Sequence, residues 1–559
     1  MKYRFLFALA ASLSLVLALA AGSPLAAGAH GKKKPAKTVS VQLLAINDFH
    51  GNLDPPSGSS GRIGTVDAGG VEYLATHLKQ MEATNPNTYI VSAGDLIGAS
   101  PLLSGLFHDE PTIEAANLFG LDLNAVGNHE FDEGVTELLR MQRGECHPVD
   151  GCQDGTGFEG ADFKFLAANV KYKESGKTIF PPYKIKTFHG AKVAFVGMTL
   201  EGTPEIVSPS GISNVNFLDE ADTVNALVPK LRKKGAEAIV VLIHEGGFPT
   251  GTYNECPGIS GPIVDIVNRM SDEVDLVVSG HTHNAYNCVI DGRPVTSAAS
   301  FGRLVTDIDM TIDKKSGEPT SMTINNKIVT RDVAKDADET ALIERYRVVA
   351  APIANRVVGS ITADITRANT PAGESSLGDH IADAQLEATT PAALGGAVMA
   401  FMNPGGIRTD LVFNQISGGE LPGQVTYGEI FAVQPFANSL VTMTLTGAQI
   451  ERVLEQQWAA PSRSVILQVS NTLTYKWNPA APFGARVEPA DIKLNGTPIS
   501  LVASYRVTVN SFLADGGDGF SVLREGTNRL GGAVDTDAFS EYLEAHSPLS
   551  PTPRTRITN

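Results

Sequence analysis

Asp, Asn and His recur at one kind of place in this chain, directly after a short apolar run. Val41–Ile46 is followed by Asn47-Asp48-Phe49-His50, Tyr89–Ser92 by Ala93-Gly94-Asp95, and Leu123–Val126 by Gly127-Asn128-His129-Glu130-Phe131-Asp132. Ala238–Ile243 runs into His244-Glu245-Gly246-Gly247, and Leu276–Ser279 into Gly280-His281-Thr282-His283. Carboxylates, amide oxygens and imidazoles are the ligands that two hard or borderline cations need, and one bridging carboxylate holds such a pair about 3.5–4 Å apart. Asp48 and His50, one residue apart, point the same way on extended backbone and so can serve one ion. His281 and His283 share that spacing and suit two ions. Glycines before Asp95, Asn128 and His281 let the backbone approach closely. Alone, Asp-x-His is an ordinary surface turn and His-x-His a weak signal, while Gly-Asn-His-Glu with Asp132 behind it is more specific. Five such motifs, in order and each after a strand, are not ordinary turns.

Strands must hold those turns. The runs are short and apolar, as in strands covered on both faces, and they alternate with helical periodicity over Val71–Ala83 and Ala221–Lys234. A further strand is expected at Val193–Gly197. From Val39 to about Ile328 the alternation predicts a layered α/β domain, in which open sheets gather ligands at the carboxyl ends of strands. A hairpin-like stretch from Cys288 to Asn326 is expected to close it. The charged helical segment Asp332–Arg356 reads as a connector. Beyond Ile361 lies a second region, with helices at Ser376–Ala388 and Thr446–Trp458 and strands at Val441–Leu445 and Ser504–Thr508.

That second region carries different chemistry. Asn403-Pro404-Gly405-Gly406-Ile407-Arg408 is a tight glycine turn ending in a guanidinium, which suits phosphate. Phe436 sits on a loop fixed by Pro435, and Phe512 precedes a Gly-rich turn that bears Asp518. Two facing aromatics can sandwich a base, worth about 1–3 kcal/mol per stacked base, and a carboxylate can accept ribose hydroxyls. Taken alone, Phe436 and Phe512 would read as core residues.

Composition narrows the partners. At 559 residues the chain exceeds one hydrophobic core, so two large domains are expected. A formal net charge of -17 argues against duplex nucleic acid or an anionic membrane, which need a basic face. It does not argue against a small anion, because bound cations reverse the local sign. Lys2 and Arg4, an apolar run from Phe5 to about Ala21 and small residues at Ala26–Ala29 form a secretory signal, so export without a stable membrane anchor is expected. Four cysteines in an exported chain suggest disulfides. Cys146 with Cys152 would close a short loop and Cys256 with Cys288 would tie two loops, although three pairings exist.

The segments NDFHGNL, SAGDLIGASP, VGNHEFDEG, IHEGG and SGHTH resemble the calcineurin-like metallophosphoesterases, and especially their secreted bacterial 5'-nucleotidase branch. NPGGIRTDL, VTYGEIFAVQPFANSL and NSFLADGGDGF resemble that family's C-terminal substrate domain, in order. The resemblance implies a four-layer β-sandwich flanked by helices plus a second α/β domain. The expected division is a signal peptide over 1–29, the metallophosphoesterase domain over 39–330, a linker helix over 331–358 and the nucleotide-binding domain over 359–548. It also implies two divalent ions (Zn, Mn, Co or Mg). Asp48, His50, Asp95 and His283 would hold one, and Asp95, Asn128, His244 and His281 the other. His129, oriented by Asp132, would stabilise charge on the phosphoryl or leaving group while water attacks phosphorus in line. Asn403 would meet the base, Arg408 the phosphate, Phe436 and Phe512 the faces of the base, and Asp518 the ribose. The implied activity is phosphate release from nucleotides, with 2',3'-cyclic nucleotides as further substrates. UDP-sugars or nucleoside diphosphates are the alternative substrates, and a non-catalytic nucleotide-binding surface protein is the alternative of another class. One departure stands out. Relatives place further arginines before and within the helix that begins here at Ser376, and this chain has none over 371–379.

Overall fold

The computed structural model describes residues 37–56, 58–207, 211–436, 438–458 and 464–559. The expected signal peptide lies outside them. Two six-stranded sheets form the first region. In spatial order the first runs Pro319–Ile328, Leu304–Asp313, Thr38–Ile46, Thr88–Ser92, Leu123–Ala125 and Lys164–Leu166. The second runs Ala285–Ile290, Arg293–Ala298, Leu276–Ser279, Ala238–His244, Ala191–Thr199 and Tyr183–Phe188. Val41, Leu43 and Val91 of one sheet pack against Val193, Phe195, Val240 and Leu242 of the other. Burying side chains of this size stabilises by about 1.5–3 kcal/mol each. Because both faces of these strands are covered, their sequences are continuous apolar runs rather than alternating ones.

Helices cover the outer faces. Val71–Glu82, Glu110–Leu118 and Ala337–Ala354 place Leu74, Ile113, Ile343 and Tyr346 in the core outside the first sheet. Glu220–Lys233 and Pro262–Arg269 do the same for the second sheet through Val224, Ile263 and Val267. The result is the four-layer sandwich. Thr38–Ile46, Thr88–Ser92 and Leu123–Ala125 are mutually parallel, as are Ala191–Thr199, Ala238–His244 and Leu276–Ser279. Their carboxyl ends therefore open on one edge.

One sequence expectation is corrected. Cys288–Asn326 is not a single closing hairpin. Ala285–Ile290 pairs with Arg293–Ala298 in the second sheet, whereas Leu304–Asp313 pairs with Pro319–Ile328 in the first. The chain crosses between sheets over 299–303, a step with no composition signal because both hairpins bury one face.

The second region holds a five-stranded sheet in the order Gln468–Val469, Met399–Met402, Ser504–Asn510, Ser439–Thr446 and Thr527–Val534. Its core contains Phe401, Met443, Leu445, Val507 and Val509. Helix Ser376–Thr389 begins where the Ser375 hydroxyl accepts from Gly378 N, an N-cap that offsets one unpaired helix donor. Among the described residues no helix is long and apolar enough to cross a membrane.

Cys146 is bonded to Cys152 and Cys256 to Cys288. Beside the first bridge, His108 Nδ1 lies 2.9 Å from Glu133 and its Nε2 2.8 Å from Asp150, with the His147 ring stacked on it at 3.7 Å. The Glu133 hydrogen bond, against the opposing effect of burial, raises His108 to about 9. A raised imidazole stabilises fully below the unfolded value near 6.5, and that stability is lost as pH climbs through about 9. Glu133 and Asp150 are half exposed, so solvent screening leaves about 1 kcal/mol of effect. His108→Gln is therefore expected to flatten the stability change between pH 6.5 and 9 by about 1 kcal/mol in urea unfolding. Parallel wild-type and variant curves would refute it.

Candidate metal and nucleotide site

The turns after the parallel strands bring the predicted donors together. His50 Nε2 lies 3.1 Å from His283 Nε2, 3.6 Å from Asp95 Oδ2 and 4.0 Å from Asp48 Oδ1. His244 Nε2 lies 2.9 Å from Asp95 Oδ2 and 3.9 Å from Asp48 Oδ1. Asp48 Oδ1 is 3.4 Å from His283 Nε2, and His281 Nδ1 is 3.0 Å from Asn128 Oδ1. Asp48–His50–His283 and Asp95–His244–His281 each offer ligand atoms within 4.8 Å of one another. Asp95 Oδ2 stands beside His50 of the first group and His244 of the second.

The backbone reaches this arrangement differently from expectation. Asp48 and His50 are not extended. Their φ values are 50° and 48°, and Asp95, His281 and His283 also lie in the left-handed region at 50°, 71° and 55°. Such a conformation costs a non-glycine residue about 1–3 kcal/mol and persists where surrounding structure dictates it. That structure is visible. Glu130 is buried and accepts from Asp95 N, Leu96 N, Gly127 N and Asn124 Nδ2 at 2.6–3.0 Å. Asn47 donates to Asp48 Oδ2 and to Ala299 O and accepts from Ala298 N. His281 N donates to both oxygens of Asp48 at 3.0 Å. A Cβ on Gly127 would come within 2.1 Å of Asp95 Oδ1, and one on Gly94 within 2.7 Å of His244 Nδ1. Both glycines are required by proximity. Glu130 and Asn47 sit inside motifs already singled out, but their role as backbone anchors has no sequence signal of its own.

Electrostatics fit a cation at these atoms. His50 donates from Nδ1 to Gly98 O, and His244 from Nδ1 to Ala93 O, each at 2.8 Å. The neutral His50 ring then presents the lone pair of Nε2, the orientation that carbonyl partners enforce on metal-binding imidazoles; on His244 burial opposes the charge, but Asp95 outweighs it and raises the ring to about 10, so its Nε2 carries a proton that a bound cation would displace. Burial holds His50 and His283 well below the ordinary imidazole value, in the neutral form that coordinates. Burial pushes Asp48 up to about 7. Asp95 behaves oppositely: burial opposes its charge, yet His244 and His129 hold it well below the usual carboxylate range. His244 Nε2 is buried, and Asp95 Oδ2 lies 2.9 Å from it. Carboxylates and imidazole nitrogens facing one point form a donor set suited to divalent ions.

His129 stands beside this set. Its Nδ1 donates to Asp132 Oδ2 at 2.9 Å, and its backbone N donates to Asp95 Oδ1 at 2.9 Å. Burial disfavours the imidazolium, but Asp132 and Asp95 outweigh it and raise the pKa above the ordinary value. Asp132 is itself fixed by Ala99 N at 3.1 Å.

The nucleotide-type residues arrive from the second region. A capping box between Thr426 and Glu429 starts the helix Tyr427–Val433, which delivers Phe436. The Phe436 ring stacks on the His129 imidazole at 5.7 Å and 24°, and the Arg408 guanidinium lies 5.8 Å from the same ring. Asn510 caps the short helix Ser511–Ala514 through Leu513 N, and its amide also donates to Asn403 Oδ1 at 3.0 Å. Asn403 in turn donates to Asp518 Oδ2 at 2.8 Å. The Phe512 ring lies against Gly517, where a Cβ would meet it at 2.4 Å. One cavity of about 830 Å³ is lined by Asn128, His129 and His281 together with Arg408, Phe436, Phe512 and Asp518.

Comparison with known proteins agrees with this geometry. Residues 41–285 match the family model for calcineurin-like phosphoesterases, and residues 357–525 match that for the 5'-nucleotidase C-terminal domain. The chain is 32% identical over 536 residues to the endonuclease YhcR of Bacillus subtilis, aligning over 94% of its own length but spanning only 41% of that protein. It is 33% identical over 542 residues to the cell wall protein Lmo0130 of Listeria monocytogenes, covering 91% of this chain and 67% of that one. Among solved structures, a 5'-nucleotidase precursor from Thermus thermophilus superposes with a TM-score of 0.76 at 28% identity, covering 93% of this chain and 99% of the other. With both halves matched in order on one site, the chain belongs to the 5'-nucleotidase family, a calcineurin-like phosphoesterase domain followed by a 5'-nucleotidase C-terminal domain.

Proposed function

We propose that the chain is an exported, metal-dependent phosphohydrolase that releases phosphate from nucleotides and also opens 2',3'-cyclic nucleotides to monophosphates. The observation that carries this reading is the shared cavity: metal-type donors and His129 form one wall, and Arg408, Phe436, Phe512 and Asp518 the other. In this reading Asp48, His50, Asp95 and His283 hold one divalent ion, and Asp95, Asn128, His244 and His281 hold a second. Bound there, the pair supplies positive charge to phosphoryl oxygens and lowers the pKa of water. Asp132 holds the proton of His129 at Nδ1 and favours the imidazolium, which stabilises negative charge developing on the phosphoryl or leaving group. Arg408 neutralises phosphate, the two aromatics stack the base, Asp518 accepts ribose hydroxyls and Asn403 meets the base. Stacked on Phe436, His129 is shielded from water, which strengthens its electrostatic effect.

Export is supported by the N-terminal pattern of charged, apolar and small residues, by the two disulfides and by the cell-wall designation of one relative. The division into 39–330, 331–358 and 359–548 is supported by the two family matches. Purified protein is expected to release phosphate from AMP and to open 2',3'-cyclic AMP to a monophosphate, to stop on chelation, and to recover with Mn, Co or Zn. UDP-glucose and ADP in the same panel distinguish the diphosphate alternative. Chelator-resistant turnover, or no turnover on any nucleotide, would overturn the reading.

A further inference from the structure

One donor of the candidate metal site is held differently from its neighbours. His50 and His244 are each fixed by a hydrogen bond from Nδ1 to a backbone carbonyl at 2.8 Å. Among the described residues, His283 makes none from its Nδ1. Its side chain is 28% exposed, whereas those of Asp48 and His50 are fully buried. An aromatic ring meets it instead. Phe301 stands edge-to-face to His283 at 5.3 Å and 82°, and to His50 at 6.0 Å and 63°. At such separations the positive edge of one ring attracts the negative face of the other.

Phe301 is held there against its own backbone preference. Its φ is 62°, a left-handed conformation that a bulky residue adopts only where the surroundings dictate it. Phe301 N donates to Asp48 O at 2.7 Å, and Ala299 N donates to Asn284 O at 3.3 Å. Ala299 O accepts from Asn47 Nδ2 at 2.6 Å. The crossing over 299–303 therefore ties the turn that bears Asp48 and His50 to the turn that bears His283. Arg303 lies over the face of the Phe301 ring at 5.4 Å, within reach of cation–π attraction. Its guanidinium is in turn fixed by Ser300 O, Ser300 Oγ and Arg62 O. The aromatic wall is braced from both sides.

We propose that Phe301 is a positioning residue for the ion assigned above to Asp48, His50, Asp95 and His283. It orients the His283 ring by packing, where a hydrogen bond orients His50 and His244. This ion is consequently the more readily exchanged of the two, and Phe301 sets its affinity. The inference rests on the two-ion reading of the site.

The test titrates full-length protein, stripped of metal by a chelator, with Mn²⁺ in a calorimeter. Wild type is expected to show two binding steps, the weaker of which disappears in His283→Ala. Phe301→Leu keeps apolar bulk but removes the ring. It is expected to weaken that step by about 10–100-fold, the usual effect of losing a group that orients a metal ligand, and to leave the tighter step within about threefold. Phe301→Tyr, which keeps the ring, should leave both steps close to wild type. If near-UV dichroism shows that Phe301→Leu does not fold, Phe301→Met fills the same space and carries the test. Weakening of both steps alike, of neither, or only of the step that His283→Ala spares overturns the proposal. A single step in wild type, absent in His283→Ala and weakened in Phe301→Leu, leaves the role of Phe301 standing and removes the second ion. Two steps, both indifferent to Phe301→Leu, give the converse.

Discussion

Replacing Asp95 with Asn is expected to lower phosphate release from nucleotides by about a thousandfold or more and to reduce bound metal from two ions to at most one. Its Oδ2 stands 2.9 Å from His244 Nε2 and 3.6 Å from His50 Nε2, so one carboxylate serves both donor groups. Its Oδ1 fixes the backbone of His129. Losing the shared charge would weaken both proposed ions at once, and a thousandfold corresponds to about 4 kcal/mol of barrier. Metal analysis beside initial rates, with near-UV dichroism as a check on folding, decides it. Two retained ions with activity within tenfold of wild type would remove the basis for the two-ion site.

The second large effect concerns His129. Substituting Gln is expected to cut kcat by about 10²–10⁴, the range of positioned acid–base and charge-stabilising groups, with metal content unchanged. Asp132→Asn should cost less, about 10–100-fold, because it acts by orienting the ring through the 2.9 Å bond to Nδ1. The double variant should be no worse than His129→Gln alone, since both changes remove one unit. Additive losses, or loss of an ion from His129→Gln, would show that the imidazole serves another purpose.

Much of this site is legible in the sequence, for a definable reason. Strands buried on both faces must be apolar, so a polar cluster immediately after each one marks the sheet edge where ligands collect. The identities of Asp48, Asp95 and His244 are readable in that way. Their conformations are not. An Asp-x-His spacing reads as extended backbone, whereas Asp48 and His50 take positive φ because Asn47 and the bonds from their own N–H groups to Gly94 O and Asp95 O fix the turn. The hairpin boundary at 299–303 is likewise hidden, since partners are chosen by the sheets and not by the turn. Phe301 carries no motif, and only the fold brings its ring against both His50 and His283.

The stacking of Phe436 on His129 has a consequence for how such proteins can be rearranged. An imidazole whose aromatic neighbour, and the guanidinium over that neighbour, come from residues more than 270 positions downstream is not contained in the half that carries the metal-type donors. Recombining that half with a foreign recognition module would preserve its ions while stripping the ring of its cover. Interchangeable cassettes are therefore a poor description of this architecture: swaps that respect the Phe436 loop should retain function, and swaps that cut through it should not.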